Sequence, residues 1–194
     1  MSEKRKLDSR VRRTELLLHR SLAALIHEKG YASIVVKEIL ARANVARSTF
    51  YAHFDGKEEL LTGSILHMLA DARDRLPQSS NSVEQLLYFS LPVLQHIETQ
   101  FEQSHADARR HGHRQVHERL ENVLAENVEA DIRRVQPDGA EPAIPPRLLA
   151  RHLAATFIGV VDWWLSQRPP PSAREAHDLY RALVEPVLAT NRCA

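Results

Sequence analysis

The stretch VKEILARANVARSTFYAHFDGK, from Val36 to Lys57, decides the reading of this chain. Val36, Ile39, Leu40 and Ala43 recur at three- and four-residue steps, the spacing of one helical face. Asn44 and Val45 break that pattern. A second short helix then carries Arg47, Ser48, Thr49, Tyr51 and His53, and keeps Val45, Phe50 and Phe54 for the interior. One helix supports, and the next offers polar side chains outward. That is the arrangement of a helix-turn-helix, whose second helix fits a DNA major groove.

The flanks are suited to hold this pair. A first helix starts near Asp8 or Ser9, either of which can cap. Val11, Leu18, Leu22, Leu25 and Ile26 form its core stripe, and Gly30 ends it. It braces helices that are too short to persist alone in water. Residues 1–7, with Lys4, Arg5 and Lys6, read as a basic arm, either laid along phosphates or simply solvated. After the pair, Asp55 and Glu58 read as a capping box. A fourth helix then buries Leu60, Leu61, Ile65, Met68, Leu69 and Ala72 and stops before Pro77.

Taken together, five pieces resemble the DNA-binding head of the TetR family of bacterial transcriptional regulators. They are Gly30-Tyr31, Val36-x-x-Ile39, Ala43-x-Val45, Arg47-x-Thr49-Phe50-Tyr51-x-His53-Phe54 and Lys57-Glu58-x-Leu60-Leu61. Beyond Leu61 only length and helical character agree. Arg47 and Ser48 stand at the helix N-terminus, where base edges are met, and Thr49 suits a thymine methyl or a phosphate. The resemblance implies Tyr51 and His53 as phosphate contacts; the alternative for both is ordinary surface packing. Lys57, at the positive end of the next helix, suits a charge-assisted phosphate bond, and Lys37 is a further candidate. The chain departs from the family pattern where a hydroxyl usually precedes the supporting helix, here Ile34 and Val35. It departs again at Asn44 for Gly and Ala46 for Ser. Asn44 tolerates the left-handed conformation. Ala46 cannot cap, a loss of about 1 kcal/mol.

The rest of the chain reads as helices. Ser82 and Gln85 suggest a capping box, and Leu86, Leu87, Phe89, Val93, Leu94, Ile97 and Phe101 a helix kinked at Pro92. Another helix spans 115–135, with Asn127 on its inner stripe. Residues 136–146 are a loop. Helices then run over about 147–167 and, after Ser172-x-x-Glu175, to the end. His105, His111, His113 and His117 lie between. His113 and His117 share a face, and Glu118 and Glu121 add oxygens, but this is not the zinc-protease spacing. Arg109, Arg110 and Arg114 discourage a cation, so a polar bend is expected and no metal or cofactor.

The last two helices are wider in apolar surface than one monomer needs. The resemblance implies a homodimer through Leu153, Phe157, Val160, Trp164, Leu179, Tyr180, Leu183 and Val187; the alternative is the core of a monomer. A small-molecule pocket is expected at Met68, Phe89, Val93, Ile97, Leu120 and Trp163, each of which also suits plain core.

Charge agrees with a one-ended nucleic-acid binder. Residues 1–57 hold 12 Lys/Arg against 6 Asp/Glu, and the other 137 hold 14 against 19. No membrane span and no secretory core are read, so the expected location is cytoplasmic. Cys193 stands alone, which excludes an internal disulfide. No phosphate loop, nucleophile elbow or paired metal motif points to an enzyme. The expectation is therefore all-α, about nine helices. Residues 1–56 form a three-helix DNA-binding domain and 57–194 a helical ligand-binding and dimerisation domain. The function expected is a ligand-responsive regulator, most often a repressor in that family, released from a palindromic operator by a small molecule. The alternatives are an interaction module that has lost DNA binding, or a metal-dependent protein using the histidines.

Overall fold

The computed structural model describes residues 2–77, 81–103, 114–135 and 142–192. It is all helical among these residues. The helices are α1 (Ser2–Lys29), α2 (Val36–Ala43), α3 (Arg47–Tyr51), α4 (Lys57–Asp74), α5 (Ser82–Leu87), α6 (Ser90–Gln103), α7 (Arg114–Val135), α8 (Pro146–Ser166) and α9 (Ala173–Arg192). A 3-10 turn, Tyr31–Ser33, joins α1 to α2. The chain divides into two compact units, Met1–Ile65 with Gln103–Val116, and Leu66–Glu102 with His117–Ala194, so the division falls within α4.

In the first unit, Leu18, Leu22, Leu25 and Ile26 of α1 are buried as their spacing demands. The expected arm is instead helix, because α1 begins at Ser2. Nothing between Ser2 and Asp8 is a helix breaker, and the competence of Asp8 and Ser9 as caps does not outweigh that. Gly30 ends α1 at φ 77, a conformation that costs glycine little. Helix α2 is tied to α1 by Lys29–Glu38 and by the fork of Arg42 on Glu28, at 2.7 and 2.5 Å. Asn44 takes the left-handed conformation at φ 52 and ψ 48 and turns the chain into α3. The fully buried Phe50 rivets α3 to Phe54, ring centroids 5.7 Å apart. His19 on α1 meets Ser64 of α4 at 2.6 Å. The Ser64 hydroxyl donates to the Leu60 carbonyl, so it accepts from His19. A Cβ on Gly63 would stand 3.3 Å from the His19 ring, so a side chain there would press on it.

Two capping boxes shift from their expected places. The carboxylate of Glu59, not Glu58, accepts from the Asp55 N–H at 2.6 Å. At α5 the cap is Asn81, whose side chain accepts from Val83 and Glu84 while Glu84 accepts from Asn81. Asn81 and Ser82 are both good caps, and choosing the first adds a residue of helix. The box at Ser172 and Glu175 stands as expected, and its hydrogen bonds hold the Glu175 carboxyl below its ordinary pKa.

In the second unit the apolar helix expected from Leu86 onward is two helices. The break lies at Tyr88–Phe89, and Pro92 sits in the first turn of α6. There its missing N–H leaves no ladder bond unmade, which removes the cause of a kink. Helices α8 and α9 form an antiparallel hairpin. The Trp164 indole donates to the Pro171 carbonyl at 2.6 Å, and the Tyr180 hydroxyl donates to the Leu153 carbonyl at 3.1 Å. Phe89 fits edge-on against Phe157 at 5.2 Å, and Phe157 against Tyr180 at 5.2 Å. Burial of the Tyr180 phenol raises its pKa. Among the described residues α8 is the one helix long and apolar enough to cross a membrane by length and composition alone, a property it shares with buried core helices. Half of that stretch is buried against the unit's own helices.

Candidate nucleic-acid interface

Helix α3 has five residues and buries Phe50. Arg47, Ser48 and Tyr51 are exposed, Thr49 and His53 half-buried. The geometry follows from the missing periodicity. With one strong anchor, the remaining positions of so short a helix face outward. The Arg47 guanidinium lies 5.5 Å from the Tyr51 ring centroid, a loose cation–π contact, so the two form one polar edge. Tyr51 is 45% exposed, which leaves its hydroxyl within reach of a partner. Lys37 is exposed on α2.

Two expected contacts have internal partners. His53 Nδ1 is 3.9 Å from a Glu15 carboxylate oxygen. Lys57 donates to the carbonyls of Tyr31, at 3.1 Å, and Ile34, at 2.8 Å, with its ammonium 4.5 Å from the Tyr31 ring centroid. It therefore holds the turn before α2 against the start of α4. An ammonium has three donors, so two bonds still permit a third to phosphate. The caps are bare as foreseen: neither Val35 nor Ala46 makes a side-chain cap bond. Ser33 does not substitute, because its hydroxyl donates backward to Lys29 and Gly30 carbonyls. Glu38 serves instead, accepting from the Val35 N–H at 3.0 Å, and its pKa is lowered by Lys29 and by that bond.

The body positions divide differently from their sequence grouping. Leu153, Phe157, Val160, Trp164 and Tyr180, placed at a dimer face by the family resemblance, are buried within the chain. Leu179 and Leu183 are 45% and 57% exposed, and Val187 is half-buried. Leu148 and Trp163 join them on the outside at 61% and 43%. Around Trp163, the exposed Ala155 and Gly159 keep the α8 face low, and a Cβ at Gly159 would meet nothing within 4 Å. These residues occupy the side of α8 opposite its buried stripe, the signal by which the sequence could have shown them. Of the expected pocket set, Phe89, Val93 and Leu120 are core, Met68 and Ile97 half-buried, and Trp163 exposed. Asn127 donates to the Val123 carbonyl, its backbone partner one turn back. His117 pairs with Asp162 at 2.8 Å. His105, His111 and His113 lie outside the described residues.

A brace, a supporting helix, a left-handed turn and an outward polar helix of five residues define a helix-turn-helix protein with a helical body. Residues 20–62 match the model of the bacterial regulatory proteins, tetR family. Uncharacterized HTH-type transcriptional regulator YxbF of Bacillus subtilis (strain 168) is 35% identical over 83 residues, 42% of this chain but 22% of that protein's length. A TetR transcriptional regulator from Streptococcus agalactiae 2603V shares the fold, with a TM-score of 0.56 at 23% identity over 93% of this chain and 98% of that one. Residues 20–62 are thus similar to the DNA-binding head of the tetR family, and the chain spans about a fifth of the length of the curated relative it matches.

Proposed function

We propose that the chain is a homodimeric, ligand-responsive transcriptional regulator that binds a palindromic operator and acts as a repressor. The observation that carries this reading is α3, which spends Phe50 on the interior and leaves Arg47, Ser48 and Tyr51 outside. Residues 1–56 serve as the head and 57–194 as the body, in a cytoplasmic protein. Arg47 and Ser48 read base edges, Thr49 and Tyr51 add groove and backbone contacts, and Lys37, His53 and Lys57 approach phosphates. One such helix reads few base pairs, so two copies on a two-fold axis double the site.

The exposed apolar side of α8 and α9, at Leu148, Trp163, Leu179 and Leu183, supports the dimer. Buried residues of the hairpin stiffen that face rather than touch the partner. A small molecule in the body lowers operator affinity by a coupling of about 1–3 kcal/mol, with Met68 and Ile97 as the best-placed members of the expected pocket set, being half-buried.

Selection of bound fragments from a random DNA pool at fixed salt tests the reading. Enrichment of a palindrome is expected. Folded, dimeric, ligand-free protein that enriches no sequence would favour an interaction module instead.

A further inference from the structure

A concavity of 230 Å³ opens in the second unit, bordered by residues of α4, α5 and α7. Leu76, Pro77 and Val135 give it an apolar wall, and Arg73, Asp131 and Arg134 its charged side. None of the residues expected at an effector pocket lines it.

The charge balance of this site is specific. Arg73 grips both oxygens of Asp131 at 2.6 Å and donates to the Tyr88 hydroxyl at 2.9 Å. Its guanidinium lies 4.4 Å from the Tyr88 ring centroid. This neutral pair is fixed, because Asp131 is 2% exposed and a bare carboxylate there would be costly. Arg134 is then a second guanidinium on the same carboxylate, joined through Nη1 at 2.7 Å with its side chain 66% exposed. Among the described residues that line it, two cations share one anion, so this lining carries one surplus positive charge. Arg134 is also the pliable partner. If it turned toward a ligand, Arg73 would still neutralise Asp131.

We propose that this concavity binds a small organic monocarboxylate, with Arg134 taking the carboxylate and Leu76, Pro77 and Val135 covering a short apolar tail. A planar guanidinium with five N–H donors suits a carboxylate fork. The volume is below the ~300–1,000 Å³ of drug-sized sites, which selects a ligand of few carbons. The site stands independently of DNA binding.

Calorimetric titration of the full chain with butanoate and benzoate, each against its amide, tests this. Saturable binding of at least one acid below about 10 mM is expected, with the matching amide weaker by about tenfold or more. Arg134→Gln weakens acid binding by about tenfold or more and leaves circular dichroism and melting temperature unchanged, since the side chain is exposed. Amides that match the acids, a variant that binds as the parent does, or no saturation by either acid below about 10 mM would each overturn the proposal.

Discussion

Arg73 on α4 and Asp131 on α7 lie fork to fork, Nη1 to Oδ1 and Nη2 to Oδ2, both at 2.6 Å. The bond to Asp131 is the main cause that raises the Arg73 pKa above the ordinary arginine value, against the burial that lowers it. The pair links helices 58 residues apart in sequence and is completed by the Tyr88 hydroxyl. Removing Asp131 leaves two guanidiniums around an emptied site. Asp131→Leu is expected to cost about 2 kcal/mol, below the ~3–5 typical of a fully buried pair because Arg73 is 35% exposed. Urea unfolding checks it, and adding Arg73→Met should recover part of the loss.

Arg47 and Lys57 should separate binding from stability. Arg47 is exposed and its guanidinium lies 5.5 Å from the Tyr51 ring centroid, so Arg47→Ala is expected to weaken operator binding by about 1–3 kcal/mol with the melting temperature unchanged. Lys57→Ala removes the partner of two carbonyls and should also destabilise the head by about 1–2 kcal/mol. Fluorescence anisotropy on the selected operator, paired with thermal melts, distinguishes the two.

The two sides of α9 should respond in opposite ways. Leu183→Glu alters an exposed position and should yield a folded monomer in sedimentation velocity. Tyr180→Ala opens the centre of the aromatic cluster and should cost about 3–5 kcal/mol of folding stability. A dimer that survives Leu183→Glu would move the interface elsewhere.

His177 gives a sign for acid sensitivity. Burial first, then Arg181, lowers its pKa from the ordinary 6.5, while Asp178 opposes. The unfolded chain therefore takes the proton more readily. This histidine's contribution is present above pH 6.5 and is lost as pH falls through the depressed folded value. His177→Gln should flatten that part of the stability profile, measured by urea unfolding from about pH 8 to about pH 5.

Asn44 tests the turn between α2 and α3. At φ 52, Asn44→Gly should be close to neutral, whereas Asn44→Val should cost about 1–2 kcal/mol. A Val variant as stable as the parent would show that the turn relaxes out of the left-handed region.

Helical spacing made the head legible. Ile39 and Phe50, chosen for the interior by position, are fully buried, and Asn44 turns the chain as its chemistry allows. Capping was legible only to within a residue, because Asn81 and Ser82 are chemically near-equivalent caps. Pro92 misled for a related reason. A proline marks a break, but whether it kinks a helix or starts one depends on the turn before it.

Most of the helices, their order, the turn and the polar outward edge of α3 were legible along the chain. Each follows from local backbone geometry and the spacing of apolar residues. Packing alone reveals that Lys57 braces Tyr31 and Ile34, that Asp131 is shared by two arginines, and that Trp164 and Tyr180 are core while Trp163 and Leu183 are bare. A wide apolar arc states how much surface must be covered. Which neighbour covers which side is settled by packing between residues far apart in the chain, and no local period records it.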